Sequence, residues 1–151
     1  MGNFSIAFTG KFADDDPSVA IGEIKLGEYL ESFQAILGFW TMEDYEKSWL
    51  TALRRLVGGA STSCLVTSLT DPGNSEYVVT WPLYRSDDEV FVQNQLIFLN
   101  QLGRRFEPQA PWEFIEPHAI IDEDGHQISE WQVQLKDIQD FLGLDLPREF
   151  S

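Results

Sequence analysis

Apolar and polar residues alternate at the start of the chain. Phe4, Ile6 and Phe8 share one side of Asn3 to Phe8, the two-residue period of a half-buried strand. The acidic tract Asp14-Asp15-Asp16-Pro17 breaks that pattern. Alternation returns over Val19 to Leu26. The segment Glu28 to Leu37 fits strand and helix alike, and strand is the reading adopted. The period then lengthens. Tyr45, Trp49, Ala52, Leu53 and Leu56 form one helical stripe, which predicts a helix over about Met42 to Val57. Thr41 is placed to cap it, with Asp44 three residues on to complete a capping box. Glu43, Asp44 and Glu46 sit near its positive end and Arg54 and Arg55 near its negative end, as the helix dipole favours; Gly58-Gly59 closes it.

Three more strands are predicted to follow as an antiparallel meander. Thr62 to Thr70 is rich in β-branched residues, and Asp71-Pro72-Gly73-Asn74 is a turn. Tyr77 to Tyr84 is the second strand, and Pro82 inside it points to a sheet edge or a bulge. Arg85-Ser86-Asp87-Asp88 turns the chain into Glu89 to Leu99, with Val90, Val92, Asn94 and Leu96 on one face and Phe91, Gln93, Gln95 and Ile97 on the other. Gly103 to Pro111 reads as irregular, Asp122-Glu123-Asp124-Gly125 as a turn, Ile128 to Val133 as a short strand and Lys136 to Leu142 as a short helix. The expected fold is therefore α/β of the α+β kind, with mostly antiparallel sheet, one main helix and a short C-terminal helix. The 151 residues contain no repeat, linker or low-complexity tract and are expected to form one domain, 1–151.

Composition adds a charge. Lys and Arg number 10 against 25 Asp and Glu, a formal net charge of −15. Such a surface repels phosphate backbones and anionic membranes and steers basic proteins toward it. No apolar run reaches the roughly 20 residues of a membrane span, and the first residues lack the basic start of a signal peptide. Ile6 stands where a myristoylation motif needs Ser or Thr. The expected compartment is the cytoplasm, with no membrane and no direct nucleic-acid partner.

Catalytic motifs are missing. The sequence has no Gly-rich phosphate loop and no Gly-x-Ser-x-Gly elbow. Its one cysteine, Cys64, lies within an apolar strand, where a small buried hydrophobe is the expected role. One Cys and two His exclude a zinc cluster. His118 and His126 lie in an irregular acidic stretch and read as surface residues without a defined partner. Setting Gly125 at the sixth place of an EF-hand loop puts Ile120 at the first ligand position and Trp131 at the last, so no calcium loop is predicted. No catalytic residue, cofactor or metal is assigned. Arg54-Arg55 and Arg104-Arg105 are isolated pairs rather than a nucleic-acid track. What remains is surface: the clusters Asp14, Asp15, Asp16; Asp87, Asp88, Glu89; and Asp122, Glu123, Asp124 all fall at predicted turns. They are the candidate contacts with a cationic protein.

Several stretches resemble a family of CdiI immunity proteins, the antidotes of bacterial contact-dependent growth inhibition. They are Phe39-Trp40, Asp44-Tyr45-Glu46-Lys47-Ser48-Trp49-Leu50, Ala52-Leu53, Trp81-Pro82-Leu83-Tyr84, the run Val90 to Leu99, Asp124-Gly125 and Ile128-Ser129-Glu130-Trp131, with a short helix around Ile138 and Phe141. The likeness covers roughly residues 38 to 142; before that only the general pattern agrees. It implies twisted antiparallel sheets with packed helices, similar to Whirly-type domains. It also implies binding to the C-terminal toxin domain of a CdiA protein, commonly a nuclease, with no catalysis and no cofactor. Tyr45, Trp49 and Leu53 would then be core, and Trp131 and Phe141 would cover the sheet. Besides a hydrolase built on carboxylates, which would need a cleft with mutually placed acids, two other readings stand beside it. One is a single-stranded nucleic-acid module that stacks bases on exposed Trp and Phe, which the charge opposes. The other is an acidic adaptor of a different complex, which a CdiA-type reading frame directly upstream would set aside.

Overall fold

Residues 3–143 are described by the structure, a computed structural model; Met1, Gly2 and 144–151, which the one-domain expectation includes, lie outside them. The N-terminal strands are β1 (Phe4–Phe12), β2 (Val19–Leu26) and β3 (Tyr29–Ile36), an antiparallel sheet in that order. Helix α1 (Met42–Val57) follows. A second antiparallel sheet holds β4 (Thr62–Ser68), β5 (Tyr77–Ser86), β6 (Glu89–Gln93), β7 (Gln95–Phe98) and β8 (Glu130–Gln134). Its order is β4-β5-β6-β8, with β7 also paired to β5, and α2 (Leu135–Leu142) closes the described chain. The segment Glu28 to Leu37 is a strand, as read, and both predicted helices form.

Local chemistry fixes α1. The Thr41 hydroxyl accepts from the Asp44 N–H at 3.1 Å, and the Asp44 carboxylate accepts from the Thr41 N–H at 2.9 Å. That capping box holds the Asp44 carboxyl below the usual carboxylate range, through the Thr41 N–H first. All five residues of the predicted stripe are buried. They face both sheets at once. The Phe8 ring of β1 lies 5.0 Å from Trp49 and 6.1 Å from Tyr45. On the other side, Trp49 Nε1 donates to the Val66 carbonyl at 2.7 Å, and Ser63 Oγ donates to the Ala52 carbonyl at 2.7 Å. The Tyr45 hydroxyl donates toward the Ile36 and Leu69 carbonyls, at 2.7 and 3.2 Å, and accepts from the Leu69 N–H at 2.9 Å. One side chain thus ties the ends of β3 and β4 to the helix. At the far end Tyr29 of β3 stacks on Trp131 of β8 at 4.5 Å, and Phe4 meets Phe141 of α2 edge-on at 5.5 Å.

Gly22 of β2 pairs with Phe33 of β3, whose ring lies over it; an added Cβ would stand 2.3 Å from that ring. The missing side chain is what lets Phe33 lie flat toward Phe8 and Trp49.

Two expectations need correction. Pro82 is not on an edge: β5 has β4 on one side and β6 and β7 on the other, and Pro82 pairs with Cys64. The predicted strand Glu89 to Leu99 is also interrupted at Asn94, so that β6 and β7 pair with β5 on either side of Trp81-Pro82 in one register. A proline has no N–H to give a ladder, and the gap in the pairing lies opposite it.

Candidate partner-binding surface

The five-stranded sheet is covered on both faces, which explains why Trp81, Pro82, Leu83 and Tyr84 are all buried in sequence. One face, with Leu65, Trp81, Leu83, Val90, Val92 and Val133, packs toward α1 and the first sheet. The opposite face carries Tyr84, Phe91, Gln93 and Glu130, and residues 115–121 cross over it as a strap.

Buried polar groups hold this strap. The Tyr84 hydroxyl donates to the Glu116 carbonyl at 2.6 Å. Gln93, fully buried, donates from Nε2 to the Ala119 carbonyl at 2.8 Å and to the Glu130 carboxylate at 3.0 Å. Its own carbonyl oxygen accepts from Gln95 Nε2 at 3.0 Å. His118 lies stacked over Tyr84 at 4.6 Å and beside Phe91 at 5.3 Å, with Nε2 2.5 Å from the Glu130 carboxylate. His118 is exposed, as read, but it does have partners, which the reading denied it. Its partners come from β5, β6 and β8, at sequence distances where no local pattern announces them. Burial raises the Tyr84 phenol to about 12, with the Cys64 thiol and nearby carboxylates adding to it.

The strap leads into a hairpin. Ile121 and Gln127 form a bridge, the Ile128 N–H donates to the Ile120 carbonyl at 2.9 Å, and the Asp122 N–H donates to the His126 carbonyl at 2.9 Å. Asp122 Oδ1 accepts the N–H groups of Asp124 and His126 at 2.9 and 2.8 Å, and Gly125 takes the positive φ the turn needs. Those N–H groups, His126 first, hold the Asp122 carboxyl below its usual range.

All nine predicted contact residues are exposed. Asp14, Asp15 and Asp16 occupy the β1–β2 connection; Asp87, Asp88 and Glu89 the β5–β6 turn, where the Asp88 carbonyl also accepts the Leu135 N–H; and Asp122, Glu123 and Asp124 the hairpin tip. No hydrogen bond or ion pair among the described residues joins one cluster to another. They are carried on three different connections of the fold. Asp122, Asp124 and His126 could jointly reach a cation, but all three are exposed and Asp122 Oδ1 already accepts two N–H groups of the turn.

Other chemistry is muted. Burial pushes the Cys64 thiol up to about 12, so it is not a nucleophile at neutral pH. A cleft of about 130 Å³ lies between α1 and the segment before the strap, bordered by Trp40, Lys47 and Trp112, and two wider, more open recesses of about 440 and 480 Å³ lie beside Lys11 and Asp15 and beside Ile120, Glu130 and Trp131. Arg55 lies over Trp112 at 4.7 Å and Arg104 over Phe114 at 4.2 Å, so both cations serve that segment's packing. None of the five tryptophans is exposed. The exposed large apolar groups are aliphatic and phenyl, among them Ile120 and Ile121 on the hairpin and Tyr77, Leu96 and Phe98 around β7.

What the geometry defines is a two-sheet α+β protein whose solvent-facing chemistry is carboxylate and apolar, carried on hairpin tips. The family model described as CdiI N-terminal domain matches residues 35–141. The chain belongs to the CdiI family. Immunity protein CdiI of Enterobacter cloacae subsp. cloacae is 34% identical over 138 residues, which span 87% of this chain and 94% of that one. A chain of the solved CdiA-CT/CdiI toxin and immunity complex from Enterobacter cloacae is 33% identical and superposes with a TM-score of 0.83, over 93% of this chain and 96% of the other. That coverage takes in most of the residues ahead of the family model's start, so the likeness in fold reaches into the N-terminal sheet.

Proposed function

We propose that this chain is an immunity protein: it binds the C-terminal toxin domain of a cognate CdiA protein and neutralises it, and does no chemistry of its own. The observation that carries this reading is the match, at 33% identity and nearly full length on both sides, to a chain in a CdiA-CT/CdiI toxin and immunity complex. The reading further takes the toxin as a nuclease and the mechanism as occlusion. A nuclease must hold phosphate, so its substrate face is basic. A surface of net charge −15 complements such a face, with carboxylates against Lys and Arg and apolar anchors inside the contact. The contacts are sought among the three acidic tips, the chain acts as one domain, and its place of action is the bacterial cytoplasm, where an incoming toxin finds its target.

The charge, which repels phosphate, weighs against the nucleic-acid reading, and among the aromatic rings it is Phe12, Phe39, Tyr77 and Phe98 rather than a tryptophan that stand exposed. Calorimetry with the toxin domain encoded beside this gene tests the proposal. A dissociation constant in the nanomolar class supports it. No heat of binding with a toxin domain shown to be folded and active removes it for that pair.

A further inference from the structure

Residues 116–127 are twelve consecutive exposed positions. A segment this solvated gains little from the hydrophobic effect, and ordering it costs conformational entropy. Yet it is fixed in detail. Tyr84, Gln93, Glu130 and the rings around His118 hold its first half, and the hairpin bonds from Ile120 to Ile128 hold its second. Gln93 is a fully buried amide whose donors go to the strap and to the glutamate that also meets His118. Such networks fix a conformation more than they add stability.

The fixed conformation presents two large apolar side chains that the fold leaves more than half exposed. Ile120 is 58% and Ile121 54% exposed, adjacent β-branched residues at the base of the hairpin. The tip beyond them is Asp122, Glu123 and Asp124. The charge around them is one-sided: residues 106–135 contain seven carboxylates and neither Lys nor Arg.

We propose that the strap and hairpin, with Ile120 and Ile121 as apolar anchors and Asp122, Glu123 and Asp124 as steering charges, form the element that docks on the toxin domain. This rests on the immunity reading and sharpens it, since it selects one acidic tip of the three. The charge complementarity decides the occupant. A second copy of this chain would bring like charge against like, and a nucleic acid would bring phosphate, whereas a basic protein face meets both the carboxylates and the isoleucines. A preformed hairpin also lowers the ordering cost of binding.

The test measures binding of the cognate toxin domain to the full chain, wild type and three double variants, by calorimetry and by association kinetics at low salt. Each variant is first matched to wild type in thermal unfolding, since these exposed positions can change without loss of the fold. Ile120→Ala with Ile121→Ala is expected to weaken binding by at least about 30-fold, the loss of a central hot spot. Glu123→Lys with Asp124→Lys is expected to weaken it by about 10-fold, largely through a slower on-rate. Asp88→Lys with Glu89→Lys, on another tip, is expected to stay within about 3-fold. A tightly binding wild type with both hairpin variants unchanged overturns this inference and leaves the immunity reading intact. A loss at Asp88 and Glu89 equal to that at the hairpin also overturns it. A wild type that fails to bind removes the immunity reading and this inference with it.

Discussion

Removing a single oxygen, Tyr45→Phe, tests what the hydroxyl contributes within the Asp44-Tyr45-Glu46-Lys47-Ser48-Trp49 stretch of α1. The Tyr45 hydroxyl accepts from the buried Leu69 N–H and donates toward the Ile36 and Leu69 carbonyls. Phenylalanine keeps the ring, its 5.2 Å edge contact with Trp40 and its approach to Phe8. The loss is therefore polar. The Leu69 N–H is left without its partner, which costs about 1–3 kcal/mol, while the two carbonyls lose the single O–H proton they share and the Ile36 carbonyl can recover water. Relief from burying a phenol offsets part of this. The expected net is about 2 kcal/mol, which for a chain of this size lowers the unfolding midpoint by roughly 4–8 °C. Urea unfolding should give the same loss with an unchanged slope, since the surface exposed on unfolding is the same. A change below about 0.5 kcal/mol would refute the reasoning, because the hydroxyl would then not be the tie between α1 and the two strand ends.

Three other outcomes follow from the same physics. Burial weakens Tyr45, Tyr84 and Cys64 as acids, raising their pKa values to about 12 from ordinary values of 10.0, 10.0 and 9.0. The folded state keeps their protons longer than the unfolded state, so their contribution is complete below pH 9 and is lost as pH rises toward 12. Urea midpoints should fall over that window, and less so in Tyr45→Phe; a midpoint flat from pH 8 to 11 would contradict the assignment. Gly22→Ala should cost about 1–3 kcal/mol in urea unfolding, because the new methyl would meet the Phe33 ring, itself wedged between Phe8 and Trp49; an unchanged midpoint would mean the ring moves freely. Association with the toxin domain should slow steeply between low and physiological salt, and a salt-independent on-rate would remove electrostatic steering from the mechanism.

How much of this could be read from the sequence differs by element. Helix α1 was legible to the residue, because its stripe, capping box and closing glycines all speak locally. The strands β2 and β3 were nearly so. The division into two sheets was not, since strand partners are chosen by tertiary packing. Pro82 misled because edge position is inferred from a lost ladder bond, and here the interruption between β6 and β7 absorbs that loss. The strap was invisible for a related reason. Gln93 and His118 find Ala119, Glu130, Tyr84 and Phe91 only after the fold brings distant segments together. The acidic tips were read correctly as exposed, because runs of carboxylates at turns announce themselves locally.

The central claim is neutralisation, and a stoichiometric titration tests it most directly. The purified toxin domain of the adjacent CdiA protein is assayed for its activity while this chain is added in steps. The account predicts a linear fall to zero activity at one equivalent. Full activity remaining at several equivalents would contradict it.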